Sequence, residues 1–413
     1  RRWIGDESDL LIPYEIQMRF DEHFDAEADP VLPRRNRGAG FGLMRTARGA
    51  TEPPTWSPES AGWRSSTGMA GWADLEADPL LLSMDCQGEV MEYRADFPEE
   101  TSDAHRHLSF GIDGVWNAAG WLAAGLGARA EGARSNSLGN HGRLSGSGGL
   151  MLGENLGPLT LRVETRMDAG EDGELGLSGS TSASVPVPRS GLTAYGSLSR
   201  SFRRPTFNDL YWPEDAFAEG NEDLAPETAV EGEVGLAGRW GGASASACGY
   251  LASTRDQITW LPDADGVWRP ENVSRVRRTG LEVQGEIAMG ILGIRGSLTA
   301  SSSVDRTEGA ASFGCRMPYR PDLVGGGEVF LDLGTLMLRF RASARSLSYL
   351  NRTQTDYLPG YWLLGAGISI DLSRRLLLRL DARNLTDREY EVTDGYPGEP
   401  RTAAVMLQWK GSE

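Results

Sequence analysis

Strict alternation of apolar and polar side chains, sustained over stretches of about ten residues, is the feature that most constrains this chain, because only a strand turns successive side chains to opposite faces. In LMLRFRASAR, Leu336, Leu338, Phe340, Ala342 and Ala344 share one face, while Arg339, Arg341, Ser343 and Arg345 share the other. LLLRLDARN sets Leu376, Leu378, Leu380 and Ala382 against Arg379, Asp381 and Arg383. TGLEVQGEIAM and LTLRVETRMD divide in the same way, and helical spacing of three and four is nowhere comparable. The pattern predicts an all-β protein.

Alternation alone also suits a soluble sandwich or propeller, so the connections decide between them. Short ones fall near residues 76–79, 117–120, 155–158, 187–190, 239–242, 290–292, 332–335 and 373–375. Longer polar ones fall near 48–62, 94–106, 133–141, 201–227, 262–274, 305–321, 347–361 and 388–400, with AGEDG at 169–173 short where a long one is due. Sorting by parity predicts a transmembrane antiparallel β-barrel with tight turns at one rim and loops at the other, since a closed sheet satisfies every backbone group in lipid. Trp116, Trp121 and Trp240 beside short turns, and Trp260 and Trp362 near long loops, suit interfacial girdles, with core packing as the alternative. The alternating segment TAAVMLQW brings Trp409 close to the end of the chain.

About nineteen strands are read in this way, an odd number that predicts at least one more upstream, because bacterial barrels of this kind are even-stranded. Residues 41–413 are assigned to the barrel and 1–40 to an uncertain start, since 21–38 is a long connection where a short one is due.

Other chemistry is thinly represented. A net charge of -17 excludes a phosphate-backbone binder, so no nucleic acid partner is expected. Cys86, Cys248 and Cys315 are isolated and give no disulfide or zinc pattern. His23, His105, His107 and His141 are read as solvated loop residues, GAGFG at 38–42 lacks a βαβ context, and no GxSxG elbow occurs. No catalytic residue, protein-bound metal or resident cofactor is expected, and the chain is not read as an enzyme. RRWIGDESD has no apolar run behind its arginines, so no secretory leader is read there; either the chain is cytosolic or its true start lies upstream.

The stretch SFRRPTFNDLYW followed by GNEDLAPE resembles the barrel signature of TonB-dependent outer-membrane receptors, most closely the vitamin B12 (cobalamin) receptor type; it contributes Phe202, Arg203, Pro205, Asn208, Leu210, Tyr211, Gly220, Asn221, Leu224, Pro226 and Glu227. WRPENVSRVRRTGLEV agrees through Asn272, Gly280 and Glu282, and NLTDREYEVTDGYPGEPR through Asn384, Leu385, Tyr390 and Arg401. The resemblance implies part of a barrel of about 22 strands, in the outer membrane of a Gram-negative-type bacterium. It implies uptake of a scarce metal chelate, cobalamin first and a ferric siderophore or haem second, the metal arriving inside the ligand. Implied partners are outer-membrane lipid, a TonB-type energising protein acting through a plug, and a periplasmic binding protein. The plug has no room in this chain, and a barrel that lacked one altogether would be a passive porin-like channel.

Read physically, the signature stops one strand and starts the next. Pro205 removes a ladder donor, Asn208 and Asp209 suit a turn, Gly220 and Asn221 suit positive φ, and Pro226 fixes the entry to the following strand. Arg200, Arg203 and Arg204 are read as pairing with acids such as Asp209 and Glu227 or with lipopolysaccharide phosphates, a ligand anion being the alternative. The charged face of the wall is read as a solvated lumen or one packed against a plug. Ligand contacts are expected from loop aromatics, which combine apolar area with a polar handle: Tyr211, Trp212, Trp268, Tyr357, Tyr361 and Tyr396.

Overall fold

The structure, a computed structural model, describes residues 38–51, 62–95, 101–171, 173–214, 218–262 and 267–409. The first strands are β1 (Gly38–Thr51), β2 (Gly62–Ala77), β3 (Leu80–Ala95), β4 (Thr101–Ala119), β5 (Leu122–Ser135), β6 (Gly139–Leu156), β7 (Leu159–Gly170), β8 (Leu175–Val187) and β9 (Leu192–Arg203). A one-turn helix, α1 (Phe207–Tyr211), precedes β10 (Glu227–Trp240), β11 (Ala243–Pro262), β12 (Trp268–Met289), β13 (Leu292–Asp305), β14 (Leu323–Asp332) and β15 (Leu336–Arg345). Two small hairpins, β16 (Ser348–Tyr349) with β17 (Tyr357–Leu358) and β20 (Glu391–Thr393) with β21 (Tyr396–Pro397), lie in the loops around β18 (Tyr361–Ser373), β19 (Leu376–Arg383) and β22 (Thr402–Trp409).

Eighteen strands form one antiparallel sheet in which each pairs with its neighbour in the chain, from β1–β2 through to β19–β22. The sequence suggested about nineteen; the stretch before Gly38, where that reading is weakest, lies outside the described residues. All eight short turns fall where expected, and Gly241 and Gly290 take positive φ in two of them, at 57° and 63°. The 133–141 connection is a correction: β5 and β6 run on until only residues 136–138 separate them. Likewise β11 and β12 continue their ladder to Pro262 and Trp268, well into the expected 262–274 loop. Polar residues above the apolar band look like loop in the sequence, yet still form ladders.

The two faces of the sheet invert the usual relation of polarity to burial. Leu126 is 75% exposed, Val234 70% and Val405 73%, while on the opposite face Glu328 is 4% exposed. Glu328 accepts from Arg341 at 2.6 Å and pairs with Arg295 at 3.0 Å, and Arg341, Arg339 and Arg379 surround Asp381. Charges that neutralise one another face inward and aliphatic side chains face outward, the arrangement that lipid requires. Trp116, Trp121, Trp240 and Trp362 are exposed among the aliphatics, as girdle residues are. Trp260 is a correction, because its indole donates to Asp209 Oδ1 at 2.9 Å inside the loop layer.

Candidate functional site

The long-loop rim gathers the sequence motifs. β9 ends at Arg203, beside Pro205 as expected, and Arg203 grips Glu227 at the start of β10 with two donors, at 2.8 and 3.2 Å. Glu227 also accepts the Ile258 amide at 2.9 Å, so one carboxylate ties β9, β10 and β11 together. Arg203 lies 3.8 Å from Asp209, and Arg204 pairs with Glu174 at 2.8 Å. Of the three arginines in the signature, Arg203 and Arg204 are thus held by acids.

The expected Asn208–Asp209 turn is the helix α1. Thr206 caps it: the Thr206 hydroxyl accepts the Asp209 amide at 3.1 Å, and the buried Asp209 carboxylate accepts the Thr206 amide at 2.9 Å. The T-x-x-D spacing that signals this reciprocal cap is present in the sequence and was missed. Gly220 and Asn221 do not take positive φ. Gly220 is required instead by close approach, since a Cβ there would lie 2.5 Å from the main-chain nitrogen of Trp212. Asn221 donates to the Pro270 carbonyl at 3.1 Å, and Leu224 is buried.

The other motif asparagines act as backbone clamps. Asn272 accepts the Ala225 amide at 2.8 Å and donates to the Ala225 and Asp256 carbonyls at 2.9 and 2.7 Å. Asn384 donates to the Arg388 and Glu399 carbonyls at 2.9 and 3.1 Å and accepts the Arg388 amide at 2.9 Å. Arg401 lies 3.6 Å from Asp387, whose carboxylate also takes the Arg401 amide at 2.9 Å, while the Leu385 amide donates to Leu364. Gly280 faces Tyr250 across the ladder, where an added Cβ would meet the phenol ring at 2.5 Å, and Glu282 lies on the same inward side near Cys248. Asn272, Asn384 and Arg401 are fasteners of the rim, whereas Gly280 and Glu282 lie within the wall.

The six ligand candidates do not form one cluster. Tyr211 stacks on His141 with ring centroids 3.6 Å apart, and Arg143 lies 5.0 Å from the ring centroid of Phe207 beside them. His141 is therefore corrected from a solvated loop residue to a stacked residue of β6; His105 and His107 lie in β4, and His23 falls outside the described residues. Trp212 meets Trp260 edge-on at 6.4 Å, and its buried indole nitrogen has no acceptor among the described residues. Trp268 leans on Tyr319 at 5.7 Å, and Tyr361 on Tyr390 at 4.4 Å with Arg345 at 5.5 Å from its ring centroid. Tyr357 is 57% exposed, and Tyr396 sits in β21. Burial raises the Tyr319 and Tyr390 hydroxyl pKa values.

Sequence reasoning also missed a lock between loops. Asp305, 1% exposed, accepts from Ser312 at 2.7 Å and from Arg352 of the β15–β18 loop, beside a small core of Leu261, Val273, Val276 and Met317. Its partners are too far apart in the chain to leave a local signal.

Wall, girdles and clamped rim are together those of a membrane receptor barrel, and residues 102–385 match the family described as TonB dependent receptor-like, beta-barrel. The chain belongs to that family. It is 25% identical over 227 residues to the vitamin B12 transporter BtuB of Vibrio vulnificus, covering 52% of this chain and 34% of the relative. With the vitamin B12 transporter BtuB of Photobacterium profundum it shares 26% over 223 residues, covering 53% and 35%. The aligned region thus spans about a third of the length of these curated relatives. Among solved structures, the FrpB iron transporter from Neisseria meningitidis superposes with a TM-score of 0.68 at 12% identity, covering 90% of this chain and 69% of that one. The copper transporter OprC gives 0.66 at 13% identity, covering 90% and 75%. At such identities the structures speak for the fold, a TonB-dependent receptor β-barrel. The family is one of receptors and transporters, which removes the enzymatic readings.

Proposed function

We propose that this chain forms the barrel of an outer-membrane receptor that captures a scarce metal chelate at its long-loop rim and passes it inward, with cobalamin as the first ligand. The observation that carries this is the match, over about half the chain, to proteins named vitamin B12 transporters, combined with aromatic side chains presented by several clamped loops. A large, ring-rich ligand suits such a surface, because flat aromatic rings supply apolar area at low entropy cost. Tyr357 and Trp212 are the foremost contacts, followed by Trp268, Tyr361 and Tyr396; Tyr211 is engaged by His141.

In this reading the lumen is closed by a plug supplied by sequence beyond the barrel strands. A TonB-type protein energises release, and a periplasmic binding protein receives the cargo. Equilibrium binding of cyanocobalamin to the full-length protein in detergent, against a panel of ferric siderophores, is the test. Saturable binding of cyanocobalamin is expected. Binding of a siderophore alone would replace the cargo while keeping the receptor, and free sugar flux through the reconstituted full-length protein would replace the receptor by a passive channel.

A further inference from the structure

Three of the chain's four histidines lie on the lumen side of neighbouring strands. In β4, Leu108 and Phe110 are exposed on the aliphatic face, so His105, His107 and Ser109 point the other way. Ladder register agrees. Ser109 lies opposite Glu131 of β5, and Glu131 opposite Arg143 of β6, with which it forms an inward ion pair at 2.7 Å. One step nearer the long-loop rim, Glu89 of β3, His107, Ala133 of β5 and His141 of β6 form a single row.

The three differ in what holds them. His141 Nε2 lies 2.6 Å from the Leu138 carbonyl oxygen and its ring stacks on Tyr211, so it is committed to the loop. Neither His105 nor His107 makes a hydrogen bond or ion pair through its ring with any described residue, and Nδ1 of His105 is buried without a partner among them. Their neighbours on β5 are small: Ser135 lies opposite His105 and Ala133 opposite His107, and the Ser135 hydroxyl already accepts the Ser137 and Leu138 amides. Across the other edge of β4, the Glu89 carboxylate opposite His107 is exposed and pairs with no described cation.

Two histidines at i and i+2 on one strand face stand about 7 Å apart along the backbone. Two imidazole nitrogens close that span when both bind one ion, at about 2 Å each. Imidazole favours copper(II), nickel(II) and zinc(II), whereas calcium and magnesium take oxygen donors. Among the described residues, no three donor side chains already converge as holders of a metal ion. The pair is therefore no cage for a bare ion, and it suits an ion that brings its remaining ligands with it. From this geometry we infer that His105 and His107 form a docking point in the lumen for a divalent transition-metal chelate with two adjacent open positions, Glu89 offsetting its charge. The site is separate from the loop aromatics, and the inference rests on the lumen placement of β4 and on no assignment of cargo at the rim.

Copper(II)–nitrilotriacetate, whose chelator leaves two positions open, is the probe, added to the full-length protein in detergent without an affinity tag. Calorimetry gives the affinity, and nitrogen modulation in pulsed electron paramagnetic resonance counts the imidazoles bound to copper. One equivalent carrying two imidazoles is expected. His105→Ala and His107→Ala are each expected to weaken binding by about a hundredfold, as loss of a linked second donor does, and to leave a single imidazole. His141→Ala is expected to bind as the unaltered protein does. Absence of binding to the unaltered protein overturns the proposal, as does binding that survives in both β4 variants or is lost only in His141→Ala. Should an alanine variant fold poorly, His105→Asn and His107→Asn keep a polar side chain on the same face and give the same comparison.

Discussion

Tyr211 lies face to face with His141, their rings 3.6 Å apart and 4° from parallel. The contact fastens α1 and its loop to the outer end of β6, a strand that arrives in the chain well before it. It makes Tyr211 an anchor of the loop. Such a pair contributes about 0.5–1.5 kcal/mol beyond its buried area. His141→Ala is therefore expected to increase proteolytic cutting between residues 205 and 226 of the folded protein in detergent. An unchanged cutting rate would show that the loop is held by the Arg203–Glu227 and Thr206–Asp209 contacts alone.

Asn384 combines a left-handed backbone, φ 46°, with three bonds to main-chain groups and almost complete burial. Asn384→Ala strands two carbonyls and an amide and places a Cβ without compensation at positive φ, an expected loss of about 2–4 kcal/mol. Asn384→Gly relieves the backbone part only and is expected to recover less than half. Thermal unfolding midpoints in one detergent rank the three proteins; equal midpoints for Ala and Asn would refute the clamp.

Glu328 faces Arg295 and Arg341 in the lumen wall. Removing its carboxylate leaves two cations close together with Asp381 as the nearby acid. Breaking such a buried pair costs about 3–5 kcal/mol, so Glu328→Ala is expected to lower the unfolding midpoint strongly. Adding Arg341→Ala is expected to restore part of it. A double variant no better than the single one would show that the arginine is satisfied elsewhere.

Tyr319 and Tyr390 bring a pH dependence to the outer loops. Burial raises both hydroxyls above the ordinary value of 10.0, so their contribution to loop stability is complete below that pH and is lost as pH rises through the higher folded values. Loop opening followed by proteolysis is expected to begin above about pH 10, together with phenolate absorbance. Tyr319→Phe and Tyr390→Phe are expected to move the onset upward, and an onset unaffected by both would assign it to other groups.

Tyr357 is the exposed aromatic of the β16–β17 hairpin. Tyr357→Ala is expected to weaken cyanocobalamin binding by about 2 kcal/mol, the loss typical of an aromatic anchor, with no change in unfolding midpoint. Full affinity in that variant would move the site towards Trp212 and Trp268.

Alternation and turn parity made the wall legible from the sequence, because lipid imposes period 2 on every strand and tight turns on one rim. Residues 133–141 were misjudged because polar side chains above the apolar band lose the alternation while the backbone ladder continues. The rim was legible as motif but not as mechanism. Pro205 stops β9 as its missing donor requires, whereas the uses of Asn221, Asn272 and Asn384 depend on carbonyls up to 49 residues away. His141 and Trp260 carried no local sign of their partners, since stacking across loops is set by tertiary approach. The T-x-x-D cap at Thr206 was readable and overlooked.

The inward arginines and carboxylates have a mechanical consequence. Because Arg295, Glu328, Arg339, Arg341, Arg379 and Asp381 neutralise one another within the wall, that part of the lumen offers few strong points of attachment to anything that occupies it. A body filling that space would be held by many weak, exchangeable contacts and could be shifted by a modest pull, while the wall itself kept its shape.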